Sequence, residues 1–164
     1  MSIPVNFRRI LEKQDPDCVE RLQGAPDAKL NPTVIVVYGA HLDGYLECYS
    51  VSTMAEVENM IDALPDADPR KDPMIDMFLT HSHDVTVDDT GRIVLPQKLR
   101  EKIGLDQQNP AYIKGTAKTF QLWNLAEYER RHGPRDTAGT VPAFNPKAVF
   151  DELRDQLAAQ PKEG

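Results

Sequence analysis

The stretch Val85 to Leu105, VTVDDTGRIVLPQKLREKIGL, constrains this chain more than any other. Its first residues alternate apolar and polar, the pattern of a strand with one buried face. Asp88-Asp89-Thr90-Gly91 then reads as a tight turn. Asp bonds to backbone amides two residues on, and Gly accepts backbone angles closed to other residues. Arg92 follows, and a second short strand is expected over Ile93 to Leu95. Pro96 then opens a short basic helix that ends at Gly104. An arginine beside a turn glycine is a simple device for gripping a phosphate or a base edge.

An internal repeat sets the organisation of the rest. Residues 1 to 13, MSIPVNFRRILEK, match VLPQKLREKIG at a constant offset of 92: Pro4 on Pro96, Phe7 on Leu99, Arg8 on Arg100 and Leu11 on Ile103. Residues 14 to 32 read as a polar loop. The β-branched run Thr33 to Tyr38 predicts a buried strand, Gly39 to Gly44 a turn, and Tyr45 to Tyr49 a half-buried strand. A helix is expected near Thr53, which with Glu56 makes a capping box, and Met54, Val57, Ile61 and Leu64 would line one side of it. The second half repeats this order. Ala111 to Lys114 is a strand, Gly115 a turn, Phe120 to Trp123 a strand, and Leu125 to His132 a helix. Between the halves lie the loop LPDADPRKDP and an amphipathic turn or two, Met74 to Leu79. Beyond Gly133, Asn145-Pro146 predicts the cap of a last helix lined by Val149, Leu153 and Leu157, and AAQPKEG is expected to be disordered.

At 164 residues and 40% hydrophobic content, the chain suits one domain or two small ones. No apolar run approaches the ~18 residues of a membrane span, and no signal-peptide core is evident. A soluble, cytoplasmic protein with no membrane partner is expected. Cys18 and Cys48 form no C-x-x-C pair, so they read as free thiols, Cys48 within a strand. The net charge of −7 argues against nucleic acid only until its distribution is counted. Residues 43 to 89 hold 12 acids against 2 bases, whereas the remainder holds 17 bases against 14 acids. A cationic face outside the middle segment therefore stays open, because salt screens charges beyond about 10 Å.

Enzymatic readings fare poorly. Thr80-His81-Ser82-His83-Asp84 is similar to the His-x-His-x-Asp-His motif of metallo-β-lactamase-fold hydrolases. Where that motif needs its Asp and third His, this chain has Val85 and Thr86. The segment reads as a polar linker before a strand. Asp88 and Asp89 read as turn residues rather than an acid/base pair. No nucleophile triad or phosphate loop is present. No catalytic residue, metal ligand, cofactor or small-molecule substrate is assigned. Arg92 heads the candidate binding residues. Arg8, Arg9, Lys98 and Arg100 lie on the short helices of the two repeats, and Asp88 and Gly91 shape the turn. Phe120, Trp123, Tyr45 and Tyr49 read as core rather than as stacking platforms.

These residues resemble the MraZ family of bacterial transcriptional regulators, built from two AbrB-type swapped-hairpin repeats. The carriers of the resemblance are Asp88-Asp89-Thr90-Gly91-Arg92, then IVLP and QKLREKIGL, with TFQLWNLAEYE, VIVVYG and YLECY in matching order over roughly residues 1 to 130. The resemblance implies an α+β fold of two pseudo-symmetric AbrB/MazE-like swapped-hairpin β-barrel repeats with short helices and a helical connection. The first repeat would span 1–72, the second 73–132, and a partly disordered tail with a helix 133–164. It implies a repressor of the division and cell wall gene cluster. Such a protein would bind promoter direct repeats in double-stranded DNA as a homo-oligomeric ring, in the cytoplasm and on the nucleoid. Arg92 would take the place of the motif arginine, and Arg100, Arg8 and Arg9 would touch DNA from the short helices. Lys98 is added from charge and proximity. An AbrB-type antitoxin or protein-binding module is the alternative. The first Asp-x-x-Gly-Arg motif is missing. By the offset of 92 it would lie just before Met1, so Met1 is expected to be an internal methionine and the first repeat to lack a strand.

Overall fold

The computed structural model describes residues 1–134 and 144–159. The stretch 135–143 and the final residues 160–164, expected to be part of a disordered tail, lie outside the described residues. The chain forms two compact units, Met1–Tyr128 and Glu129–Gly164.

The first unit is α+β. Its helices are α1 (Val5–Lys13), α2 (Pro16–Gly24), α3 (Val51–Asp62), α4 (Lys71–Ile75) and α5 (Gln97–Lys102), with a π-helical turn at Asp76–Thr80. Its strands are β1 (Thr33–Val37), β2 (Tyr45–Tyr49), β3 (Ser82–Thr86), β4 (Ala111–Gly115) and β5 (Phe120–Asn124). α6 (Leu125–His132) follows β5, and α7 (Pro146–Ala159) belongs to the second unit. In α7, Asn145 Oδ1 accepts from the Lys147 amide at 3.0 Å, as expected of its cap, and Ala158 and Ala159 are helical rather than frayed.

The strands make one antiparallel sheet in the order β3-β1-β2-β5-β4. The sheet stays open. No strand joins β3 to β4 among the described residues, so no closed barrel forms there. Both faces are covered, which is why alternate positions are apolar on both. Val34, Val36, Leu46, Cys48, Phe120 and Leu122 pack with Leu11 of α1, Leu99 of α5 and Ile103 just after it. The opposite positions Val37 and Tyr49 pack with Met54 of α3 and with Phe78 and Leu79 of the π-helical turn. Phe120, Trp123 and Tyr49 are core, and Tyr45 stacks on Trp123 at 4.7 Å.

The two halves match position by position around the β2–β5 pairing. Glu47 stands opposite Gln121 at its centre. Tyr49 donates its hydroxyl to Glu47 at 2.9 Å, and Trp123 donates its indole N–H to Gln121 at 3.0 Å. Ser50 caps α3 by accepting from Thr53 N, and Asn124 accepts from Ala126 N at the start of α6. Asn31-Pro32 precedes β1 as Asn109-Pro110 precedes β4. Pro4 and Pro96 enter α1 and α5 with nearly equal backbone angles, φ −56 and −52.

Four local expectations are corrected. The loop 14 to 32 contains α2, started by Asp15 as cap and Pro16 at the first helical position. α3 begins two residues earlier than Thr53, capped by Ser50; Glu56 instead reaches Lys118 at 2.8 Å. The supposed linker Ser82-His83-Asp84 belongs to β3, because β1 offers it a full edge of backbone partners. Ile93 to Leu95 is not a strand. Its pairing is limited to a bridge between Arg92 and Ser2, flanked by Ile3 N to Gly91 O, Ile93 N to Met1 O and Met1 N to Ile93 O, each 2.8 Å.

Asp15 is the least replaceable polar residue of this frame. It is buried, and its two oxygens accept from Asp17 N at 3.0 Å and from Thr33 N at 2.8 Å, tying α2 to β1. Asp15→Ala removes a helix cap and orphans a buried amide, so it should cost about 2–3 kcal/mol in urea unfolding with an unchanged m-value.

Candidate nucleic-acid interface

The turn after β3 is built around one carboxylate. Oδ1 of Asp88 accepts from Thr90 N at 2.9 Å, Thr90 Oγ1 at 2.7 Å and Arg92 N at 2.8 Å. The backbone closes the same loop, with Asp88 N to Arg92 O at 2.8 Å and Gly91 N to Asp88 O at 2.9 Å. The Thr90 hydroxyl, and then the Arg92 amide, hold the Asp88 carboxyl below its ordinary 3.8. Gly91 has φ +79, and a Cβ there would stand 3.1 Å from Nη1 of Arg8. Both the backbone angle and the neighbour require glycine.

This staple fixes the backbone of Arg92 and leaves its side chain exposed. The guanidinium makes no hydrogen bond or ion pair among the described residues. Arg8 comes to the same place from α1. Its Nε donates to Glu12 at 2.9 Å, its side chain is 26% exposed, and it lies against Gly91. The sheet thus brings Arg8 onto the loop that carries Arg92, although 84 positions separate them in sequence.

The other candidates face elsewhere. Lys98 donates to the Tyr38 hydroxyl at 3.3 Å and sits 4.6 Å over that ring, beside His83. Arg100 borders a groove with Met1, Val94 and Leu105. Arg9 is exposed and borders a groove with Val19 and Leu22 of α2. Successive helical residues point about 100° apart, so Arg8 and Arg9 do not share a face.

Three contributors are absent from the sequence-based candidates. Thr90 shares the Asp88 staple, Glu12 orients Arg8, and Lys29 reaches Asp89 at 2.9 Å from 60 positions away. Thr90 was readable from Asp-x-Thr spacing, and Glu12 from its place four residues after Arg8. Lys29 carries no local signal. Among the described residues no three of His, Cys, Asp or Glu gather as metal ligands. No helix among them is long and apolar enough to cross a membrane.

Residues 78–132 match the family model described as MraZ protein. A relative from Ruegeria pomeroyi named Transcriptional regulator MraZ is 40% identical over 130 residues, covering 79% of this chain and 72% of the relative. A protein of the same name from another Ruegeria is 41% identical over 157 residues, covering 96% of this chain and 82% of the relative. The chain belongs to the MraZ family. A more distant MraZ from Cereibacter sphaeroides is 33% identical over 157 residues, covering 93% of this chain and 88% of its own length. The MraZ family match begins in the π-helical turn and runs through β3, the Asp88 turn, α5, β4, β5 and α6.

Two outcomes test the turn. Gly91→Ala places a Cβ at a left-handed backbone position and should cost about 1–2 kcal/mol in thermal or urea unfolding. A carboxyl with a depressed folded-state pKa lends stability above its unfolded pKa and loses it as pH falls through the folded value. Hydrogen exchange at the Arg92 amide should therefore accelerate, relative to the sheet, as pH falls below 3.8. In Asp88→Asn that acid-induced acceleration should vanish.

Proposed function

We propose that this chain is a DNA-binding transcriptional regulator. In the finer reading it represses the division and cell wall gene cluster, binding promoter direct repeats as a homo-oligomeric ring in the cytoplasm, associated with the nucleoid. The supporting observation is the Asp88-stapled turn, which presents an exposed arginine without a protein partner. We assign Arg92 to the base edge or the adjacent phosphate. Arg8, lying against the same turn, adds charge beside it. Arg100, Arg9 and Lys98 contribute to phosphate attraction as the surface turns along the duplex. The repeats 1–72 and 73–132 would then be two DNA-facing units, and 133–164 a tail.

A preset backbone is what such a contact requires. An arginine paired with guanine through two acceptors is worth about 1–3 kcal/mol of discrimination, and holding its main chain in advance removes part of the ordering cost. One contact of that size does not select a promoter. Repetition around an oligomer, on DNA whose site is itself repeated, multiplies it through effective concentration. Phosphate contacts supply the salt-dependent share of affinity and no sequence choice.

Arg92→Ala should lower operator affinity by roughly one to two orders of magnitude while leaving the oligomer intact. Mobility shifts on promoter DNA and light scattering on the same sample check both halves. An unchanged mobility shift would remove Arg92 from the interface. Co-purification of a stoichiometric small protein with no DNA retained would turn the reading toward an antitoxin-type module.

A further inference from the structure

A cleft of about 320 Å³ lies between the C-terminal end of α1, the first turn of α3 and the turn Thr116 to Thr119 that joins β4 to β5. Ligand sites of small molecules begin at roughly this size. Phe7, Ile10, Leu11 and Phe120 give it an apolar wall, with the Phe7 and Phe120 rings 5.3 Å apart. Ile10 is 48% exposed, so this wall continues out to solvent.

Most polar groups around the cleft are already engaged. Thr116 Oγ1 donates to Thr119 O at 2.8 Å, Thr119 Oγ1 donates to Glu47 at 2.9 Å, and Lys118 pairs with Glu56 at 2.8 Å. Two groups are not. Oε1 of Gln14 is buried and accepts no hydrogen bond among the described residues. Ser50 donates its hydroxyl proton to Thr53 Oγ1 at 2.9 Å, which leaves the Thr53 proton without an acceptor there, on a residue only 7% exposed. Gln14 and α3 are tied together, because Ser52 donates its amide and its hydroxyl to Gln14 O at 3.1 and 2.8 Å. The repeat sharpens the contrast. Asp106, which matches Gln14 at the offset of 92, uses its side chain to accept from Gln108 N and Asn109 N. Gln14 has no such duty, and a buried acceptor left unpaired is costly.

We propose that this cleft is a binding site for a small uncharged heterocycle of the nucleobase or nucleoside class. Its ring packs against Phe7 and Phe120, as flat rings do on aromatic side chains. A ring N–H donates to Gln14 Oε1, and the adjacent ring carbonyl accepts from Thr53 Oγ1. A lactam edge carries that donor and acceptor side by side. Charge sets the limit on the class. Lys118 is the one cation lining the cleft among the described residues, and Glu56 neutralises it, so a phosphate finds no partner. No residue of the Asp88 turn lines the cleft, and the site is independent of the DNA reading.

The probes are uridine and inosine, titrated separately into the full chain and followed by NMR. The expected result is saturable binding of at least one below about 1 mM, with shifts at the Gln14 side-chain amide, Thr53 and Phe120. The analogue methylated at the ring N–H, 3-methyluridine or 1-methylinosine, should bind about tenfold more weakly or not at all, since it leaves the Gln14 acceptor unpaired. The 5′-monophosphate should bind no more tightly than the nucleoside. Gln14→Leu should keep the spectrum of the folded chain and lose the binding. Absence of saturable binding by both probes would overturn the proposal and leave the cleft to water. Equal binding of the methylated analogue, tighter binding of the monophosphate, or shifts confined to residues outside the cleft would overturn it as well.

Discussion

Antiparallel pairing of β2 with β5 makes one body out of two half-folds. Each half alone is a two-stranded hairpin with a helix, and such a hairpin is marginal in water. Joined at Glu47 and Gln121, the two hairpins share a layer in which Leu46, Cys48, Phe120 and Leu122 are almost fully buried. The same join lets β3, late in the chain, return to the edge of β1, early in it. The Arg92 turn therefore hangs from a strand that only the completed sheet can anchor.

Local chemistry then refines what the sheet delivers. Asp88 converts four residues into a fixed loop through three bonds to a single oxygen. The Met1 to Ile3 segment is zipped to the far side of that loop, and Arg8 is laid across its glycine. The ion pair from Lys29 to Asp89 has one partner mostly in water, and pairs of that kind contribute little. Rigidity comes from backbone hydrogen bonds and one partly buried arginine, not from surface charge pairs.

Much of this was legible where the cause is local. Alternation marked β2 and β5, the β-branched run marked β1, and Asp88 and Gly91 announced their turn by spacing alone. The failures have distinct physical origins. α2 was missed although Asp15-Pro16 is a cap followed by a favoured first helical residue; the polar composition of the segment masked that signal. The Ser82-His83-Asp84 half of β3 has no strand pattern of its own and is extended because β1 supplies its partners. Ile93 to Leu95 alternates as a strand should, yet its pairing is limited to the bridge between Arg92 and Ser2 and the hydrogen bonds beside it. Of the candidate cations Arg9, Arg92, Lys98 and Arg100 are exposed and Arg8 is partly buried. Their separation, with Arg8 at the turn, Lys98 on Tyr38 and Arg9 beside α2, depends on helix facing that charge spacing does not encode.

The two thiols offer a built-in clock for how this architecture opens. Cys18 lies on the buried side of α2 and Cys48 in the middle of the sheet, 3% and 0% exposed, and burial pushes both thiols above their ordinary value. Neither is reactive while covered, because the thiolate is the nucleophile. Alkylation at Cys18 registers the peeling of a peripheral helix, whereas alkylation at Cys48 demands that the two hairpins part. The ratio of those two labelling rates separates fraying at the rim from rupture at the centre, without any engineered reporter.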